Sequence, residues 1–232
     1  MNRGALTVNK LNLTELPYKV LLKTGGVWLA LVVIQVIVVS TGGSKSKVLI
    51  GMCYFLLLII PIAVISVTDN LYKFINLGGK RRNFFEGCII TYVILALCFS
   101  FLNTAIYYIF DVFIKNLGYF PDGINFFEYF TWSSHGMIVG FLQQSAFFLL
   151  IFVFVNAFIL IFDMHLGTVF VYSIAAVFAA YSILAKPTGG ILSGFFYIFI
   201  ANPNALLQII PCLVLSVLIY PISLPLINRK SL

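Results

Sequence analysis

GMIVGFLQQSAFFLLIFVFVNAFILIF, residues 136–162, contains no charged residue. A membrane-spanning helix needs about 20 consecutive, mostly apolar residues, and this stretch exceeds that length. Only Gln143, Gln144, Ser145 and Asn156 interrupt its apolar character. The rest of the chain repeats the pattern. Further apolar stretches lie at 26–42, 48–68, 84–110, 166–185 and 205–227. They hold almost no charges, as expected where Lys, Arg or Asp at a helix centre costs about 3 kcal/mol. A shorter run, 191–201, is too short to span and is expected to be re-entrant or interfacial. The predicted fold is therefore an all-α polytopic membrane protein with six transmembrane helices, forming a single transmembrane domain over 1–232.

Composition agrees. The 232 residues are 62% hydrophobic and 9% charged, against about 25% charged in ordinary soluble domains. The first span starts well inside the chain and no A-x-A-like cleavage site precedes it, so no signal peptide is expected. The four cysteines, Cys53, Cys88, Cys98 and Cys212, fall in proposed spans without C-x-x-C spacing, which signals neither zinc nor a disulfide framework.

The net charge of +7 is distributed by side rather than by face. With six spans both termini share a side. That side holds Arg3, Lys10, Lys19, Lys23, Lys73, Lys80, Arg81, Arg82, Arg229 and Lys230; the other holds Lys45, Lys47, Lys115 and Lys186. The bias predicts cytoplasmic termini in a plasma membrane. No basic face with interleaved aromatics lies outside the spans, so nucleic acid is not an expected partner.

Several connecting segments carry their own signals. Residues 14–24 predict an amphipathic interfacial helix, capped by Thr14, with Glu15, Lys19 and Lys23 on one face. In the outer segment 111–135 aromatics crowd together around Pro121-Asp122-Gly123, and this loop is expected on or in the outer interface. The outer segment 187–204 is bounded by Lys186-Pro187 and Asn202-Pro203-Asn204. Gly189, Gly190 and Gly194 within it allow tight backbone. Pro211, Pro221 and Pro225 predict kinks in the last span.

The cytoplasmic segment 69–82 carries the most information. Asp69 is a candidate N-cap and Gly78 a candidate C′ residue. Between them Leu71, Phe74 and Ile75 fall on one helical face, with Asn70, Lys73 and Asn76 more to the other. Lys80-Arg81-Arg82 follows, the densest charge in the chain, and Asn83 with Glu86 is spaced as a capping box for the third span.

No catalytic constellation is present. H-E-x-x-H and G-x-x-x-x-G-K-[ST] are absent, and Thr41-Gly42-Gly43-Ser44-Lys45-Ser46 lacks the Gly-Lys pair of a phosphate loop. Gly189 to Gly194 has the wrong spacing for an intramembrane serine protease. The chain is not expected to be an enzyme, to bind a cofactor or to hold a metal. Among polar residues in spans, Gln35, Gln143 and Asn156 are candidates for a substrate path. Interhelical hydrogen bonding is the preferred alternative for each. Gly136-x-x-x-Gly140 is a candidate close helix contact.

The order of elements, with Leu77-Gly78-Gly79-Lys80-Arg81-Arg82-Asn83-Phe84-Phe85-Glu86-Gly87 after the second span, resembles the membrane (permease) subunit of ABC-2 type ATP-binding-cassette transporters. The resemblance implies that 69–82 is a coupling helix docking on a separate ATPase subunit, which carries ATP and magnesium. It implies apolar anchors at Leu71, Phe74 and Ile75, and polar contacts from Lys80, Arg81 and Arg82 to the ATPase or to anionic lipid. It implies a second permease subunit, as a homodimer or heterodimer, and an outer gate at Gly189, Gly190 and Gly194. A bacterial exporter of hydrophobic or amphipathic cargo, such as a peptide, an antimicrobial or a lipid-like molecule, is the expected function. The alternatives are a non-transporting immunity, sensor or scaffold subunit, and an ion-coupled carrier. Buried acids are lacking in the spans, which disfavours the carrier.

Overall fold

The structure is a computed structural model that describes residues 49–50, 70–109, 124–125, 127, 130–161, 194, 198–199, 202 and 204–229. The described elements are helical, apart from one two-residue parallel pairing of β1 (Leu49–Ile50) with β2 (Ile124–Asn125). The helices are α1 (Leu71–Asn76), α2 (Arg81–Tyr107), α3 (Met137–Ile161), α4 (Ala205–Ile219) and α5 (Ser223–Arg229). Short 3-10 turns at Trp132–His135 and Tyr220–Ile222 join them.

Among the described residues, three helices are long and apolar enough to cross a membrane: Arg81–Ala105, Met137–Ile161 and Ala205–Pro225. They coincide with the third, fourth and last predicted spans. The first, second and fifth spans, the helix at 14–24 and Gln35 lie outside the described residues, except that Leu49–Ile50, at the start of the second span, are extended; the N-cap of α1 is Asn70, one residue after the predicted Asp69.

Side-chain contacts fix the directions. Ser100 Oγ donates to the Phe141 carbonyl oxygen (2.7 Å), and Tyr92 OH donates to Asn156 Oδ1 (3.0 Å). Helices α2 and α3 are therefore antiparallel. Gln143 meets Gln208, and Asn156 meets Ser223, so α3 runs parallel to α4–α5. The chain leaves α3 at one end of the bundle and begins α4 at the other. Burial puts α3 in the middle: 67% of its span is buried, against 33% for the α2 span and 22% for the last. Exposed Val93, Leu97 and Phe101 on α2, and Leu206, Ile210 and Val217 on α4, give the bundle an apolar exterior.

At one end, here the basic end, the Gly-Gly pair explains how α1 joins α2. Gly78 N donates to the Ile75 carbonyl (2.8 Å), and Gly79 N donates to that of Phe74 (2.9 Å). These two bonds form a Schellman motif, with Gly78 at φ 79°, so Gly78 is the C′ residue its position predicts. Gly79 has a different reason. A Cβ there would overlap the Phe74 ring. That ring turns inward to lie 6.0 Å from the Phe84 ring. Gly78 faces open space, so Gly78→Ala changes only backbone strain. It is expected to lower stability by about 1 kcal/mol, read by thermal unfolding in detergent.

Two expectations about helix ends are corrected. Lys80, in extended conformation, is the N-cap of α2, three residues before the proposed Asn83 box. Glu86 pairs instead with Arg82 one turn back, at 3.1 Å. In the last span, α4 continues through Pro211, and the change of helix type comes at Tyr220–Ile222, around Pro221. Pro225 falls in the first turn of α5, where a missing N–H is tolerated.

Candidate functional site: a polar seam and a basic corner

The interior of the bundle is polar at two levels of α3. Gln143 and Gln144 mark one and Asn156 the other, about 18 Å apart along the helix at 1.5 Å per residue. All three are buried.

The first level is organised by Gln208 of α4. Its Oε1 accepts from Trp132 Nε1 (3.1 Å) and from Gln143 Nε2 (2.7 Å), while its Nε2 donates to the Phe199 carbonyl (3.1 Å). One amide thus joins the aromatic segment, the central helix, the last helix and the segment preceding it. Beside it, Gln144 Oε1 accepts from Ser100 Oγ (3.3 Å) and Thr104 Oγ1 (3.5 Å) of α2. Asn103 Nδ2, Gln143 Oε1 and Gln144 Nε2 are buried without a hydrogen-bond partner among the described residues. At the second level Asn156 accepts from Tyr92 and donates to Ser223 Oγ (3.1 Å), so it ties all three helices. Of the proposed path residues, Gln143 and Asn156 therefore sit in interhelical hydrogen bonds, and of these two Gln143 alone keeps a polar atom unpaired.

Trp132 reaches Gln208 because of the turn before α3. Thr131 has φ 61°, unusual for a β-branched residue, and Gly136 has φ 83°. Trp132, Phe127 and Phe130 are buried here, with Trp132 and Phe130 centroids 5.2 Å apart and Phe127 4.6 Å from Tyr107. These members of the aromatic loop pack into the bundle end, where an interfacial position was expected. Gly140 makes room for them: a Cβ there would stand 2.6 Å from the Phe127 ring and from the Trp132 carbonyl oxygen. Gly140 therefore gives close approach to helical Phe127 and to the turn at Trp132, and Gly136 supplies the positive φ that begins α3.

Of the outer-gate glycines, Gly189 and Gly190 lie outside the described residues. Gly194 is exposed with open space around it. Asn204 N-caps α4, its Oδ1 accepting from Leu206 N at 3.1 Å. Asn202 Oδ1 accepts from Asn204 N at 2.9 Å.

The basic corner rearranges the predicted docking residues. Leu71 and Phe74 are buried in the chain's own core and Ile75 packs against it, so the apolar face of α1 is turned inward. The outward edge consists of Lys73, Asn76, Leu77 and Lys80, with Arg82 beside them. Leu77 is 81% exposed. Arg81 does not share that edge. Its Nη1 donates to the Ile227 carbonyl oxygen at 2.9 Å, in the last turn of α5. Nearby, Tyr220 OH donates to the Phe85 carbonyl oxygen, and the Tyr220 and Phe85 rings stack at 4.2 Å.

Sequence reasoning missed Gln208, Trp132, Tyr92 and Ser223. Gln208 was legible as a lone amide in an apolar span; nothing in the sequence pairs it with Trp132. Among the described residues no three His, Cys, Asp or Glu side chains converge as a metal site would need.

These features define a helical membrane protein whose polar interior is joined across helices and whose basic end presents a short, braced helix. The chain matches no protein-family model, no curated protein and no solved structure.

Proposed function

We propose that the chain is the permease subunit of an ABC transporter of the ABC-2 type, exporting hydrophobic or amphipathic cargo across a bacterial plasma membrane. A separate cassette ATPase binds and hydrolyses ATP with magnesium. A second permease subunit, identical or related, completes the path, and both termini are cytoplasmic. The observation that carries this reading is the basic corner. A two-turn helix, closed by Gly78 and braced on the base of a span by Phe74, holds an exposed edge of Lys73, Leu77, Lys80 and Arg82 at the end of the bundle. A helix held this rigidly can transmit force from a docked partner, and its cations favour an acidic groove on that partner. The docking edge is thus assigned to Leu77 and the cations, in place of Leu71, Phe74 and Ile75.

Co-expression with cassette ATPases of the same genome, followed by co-purification, tests the assignment. Wild type is expected to retain an ATPase. Lys80→Glu/Arg82→Glu is expected to reduce retention by at least about tenfold, since like charges across an interface cost several kcal/mol. Topology mapping must show unchanged orientation. If wild type retains no ATPase, a non-transporting sensor, immunity or scaffold subunit is the better reading. The hydrogen bonds that engage Gln143 and Asn156 between helices favour that second reading.

A further inference from the structure

We infer that Arg81 is a latch that joins the basic turn to the C-terminal turn of the last helix and holds that turn in place. The last turn of any helix leaves carbonyl oxygens without intrahelical donors. Arg81 supplies a donor from another helix to one of them, the Ile227 carbonyl at 2.9 Å, and places positive charge at the negative end of the α5 dipole. The residue that receives it is buried, which fixes the contact in the corner and not at a loose end. A second tie, from Tyr220 OH to the Phe85 carbonyl, joins the 3-10 turn itself to the base of α2.

The break has the chemistry of a bending point. Pro221 has no N–H, so the α-helical ladder is interrupted there, and the backbone tightens into a 3-10 turn. Below the break α5 is held at its start by Asn156, which donates to Ser223 Oγ, and at its end by Arg81; above it α4 is held at its far end by Gln208. Loss of the Arg81 contact therefore frees the end of α5, while its start stays tied to α3 and the 3-10 turn stays tied to α2. Arg81 and Arg82 are adjacent yet have separate roles, because Arg82 is exposed and pairs along its own helix, with Glu86. The latch does not depend on which partner touches the exposed edge.

Hydrogen–deuterium exchange on the full chain in lipid nanodiscs tests it. Arg81→Ala is expected to speed exchange across 223–229 about tenfold, the size expected for losing one charge-assisted hydrogen bond, with 137–161 unchanged. Arg81→Lys, which keeps the charge and one donor, should restore part of the protection, and Arg82→Ala should stay within about twofold of wild type. Wild-type exchange in Arg81→Ala would overturn the latch. So would an equal rise in 137–161, which would make Arg81 a general structural residue, or an equal effect from Arg82→Ala.

Discussion

Gln208→Leu is expected to destabilise the protein by about 2 kcal/mol, more than any other substitution of a polar residue in the last helix. Leucine suits an apolar span by composition, so hydropathy alone predicts no loss. The structure predicts the opposite sign. Gln208 Oε1 accepts from two buried donors, Trp132 Nε1 and Gln143 Nε2. Both donor residues are 0% exposed, so neither can turn to another acceptor without unpacking. An unsatisfied buried donor costs about 1–3 kcal/mol. Interhelical hydrogen bonds in membranes average only about 0.6 kcal/mol, because the unfolded chain in lipid also finds partners. The stranding of two donors outweighs that reduction. Ser216→Ala is the matched control. Ser216 Oγ donates to the Cys212 carbonyl of its own helix at 2.7 Å, and its removal should change stability by less than about 0.5 kcal/mol. Reversible unfolding in mixed micelles, followed by circular dichroism, measures both. Equal stability of Gln208→Leu and wild type would mean that the hub is not formed.

Phe74→Ala should produce a loss of about 3 kcal/mol at the basic corner, within the range for truncating a buried aromatic side chain. The Phe74 ring fills the space that Gly79 leaves open and packs near Phe84. Without it the Schellman turn closes over a cavity, and α1 loses its brace. The expected signature is faster exchange at 71–82 together with lower thermal stability. A partner lost from this variant would therefore report a loosened corner. Lys80→Glu/Arg82→Glu, which leaves the core intact, separates the two effects. Retention of full stability in Phe74→Ala would place the ring outside the core and return Phe74 to the docking face.

Periodicity and composition were sufficient for the three described spans. Hydropathy is a local property, and the absence of charge over 136–162 forces burial or lipid contact whatever the neighbours are. Gly78 was legible for a similar reason: a two-turn helix followed by Gly-Gly must close with a left-handed residue. What covers the apolar face of α1 was not legible, because apolar residues at i, i+3 and i+4 show only that a face will be covered. Leu71 and Phe74 are covered by the chain itself. The capping box at Asn83 failed likewise, because Arg82 competes for Glu86 and Lys80 already ends the turn.

By itself the sequence determined that the described spans are helical, that they are long and apolar enough to cross a membrane, and where they run. These follow from the free energy of moving charge and backbone into hydrocarbon, which each segment meets alone. Tertiary structure alone decided that α3 is central, that Gln208 gathers Trp132 and Gln143, and that Arg81 turns inward while its neighbours face out. Those pairings join residues 65 or more apart in sequence, from Gln143 with Gln208 to Arg81 with Ile227. A hydrogen bond needs two groups within about 3 Å in one orientation, and no local pattern of residues specifies which distant helix will bring the second.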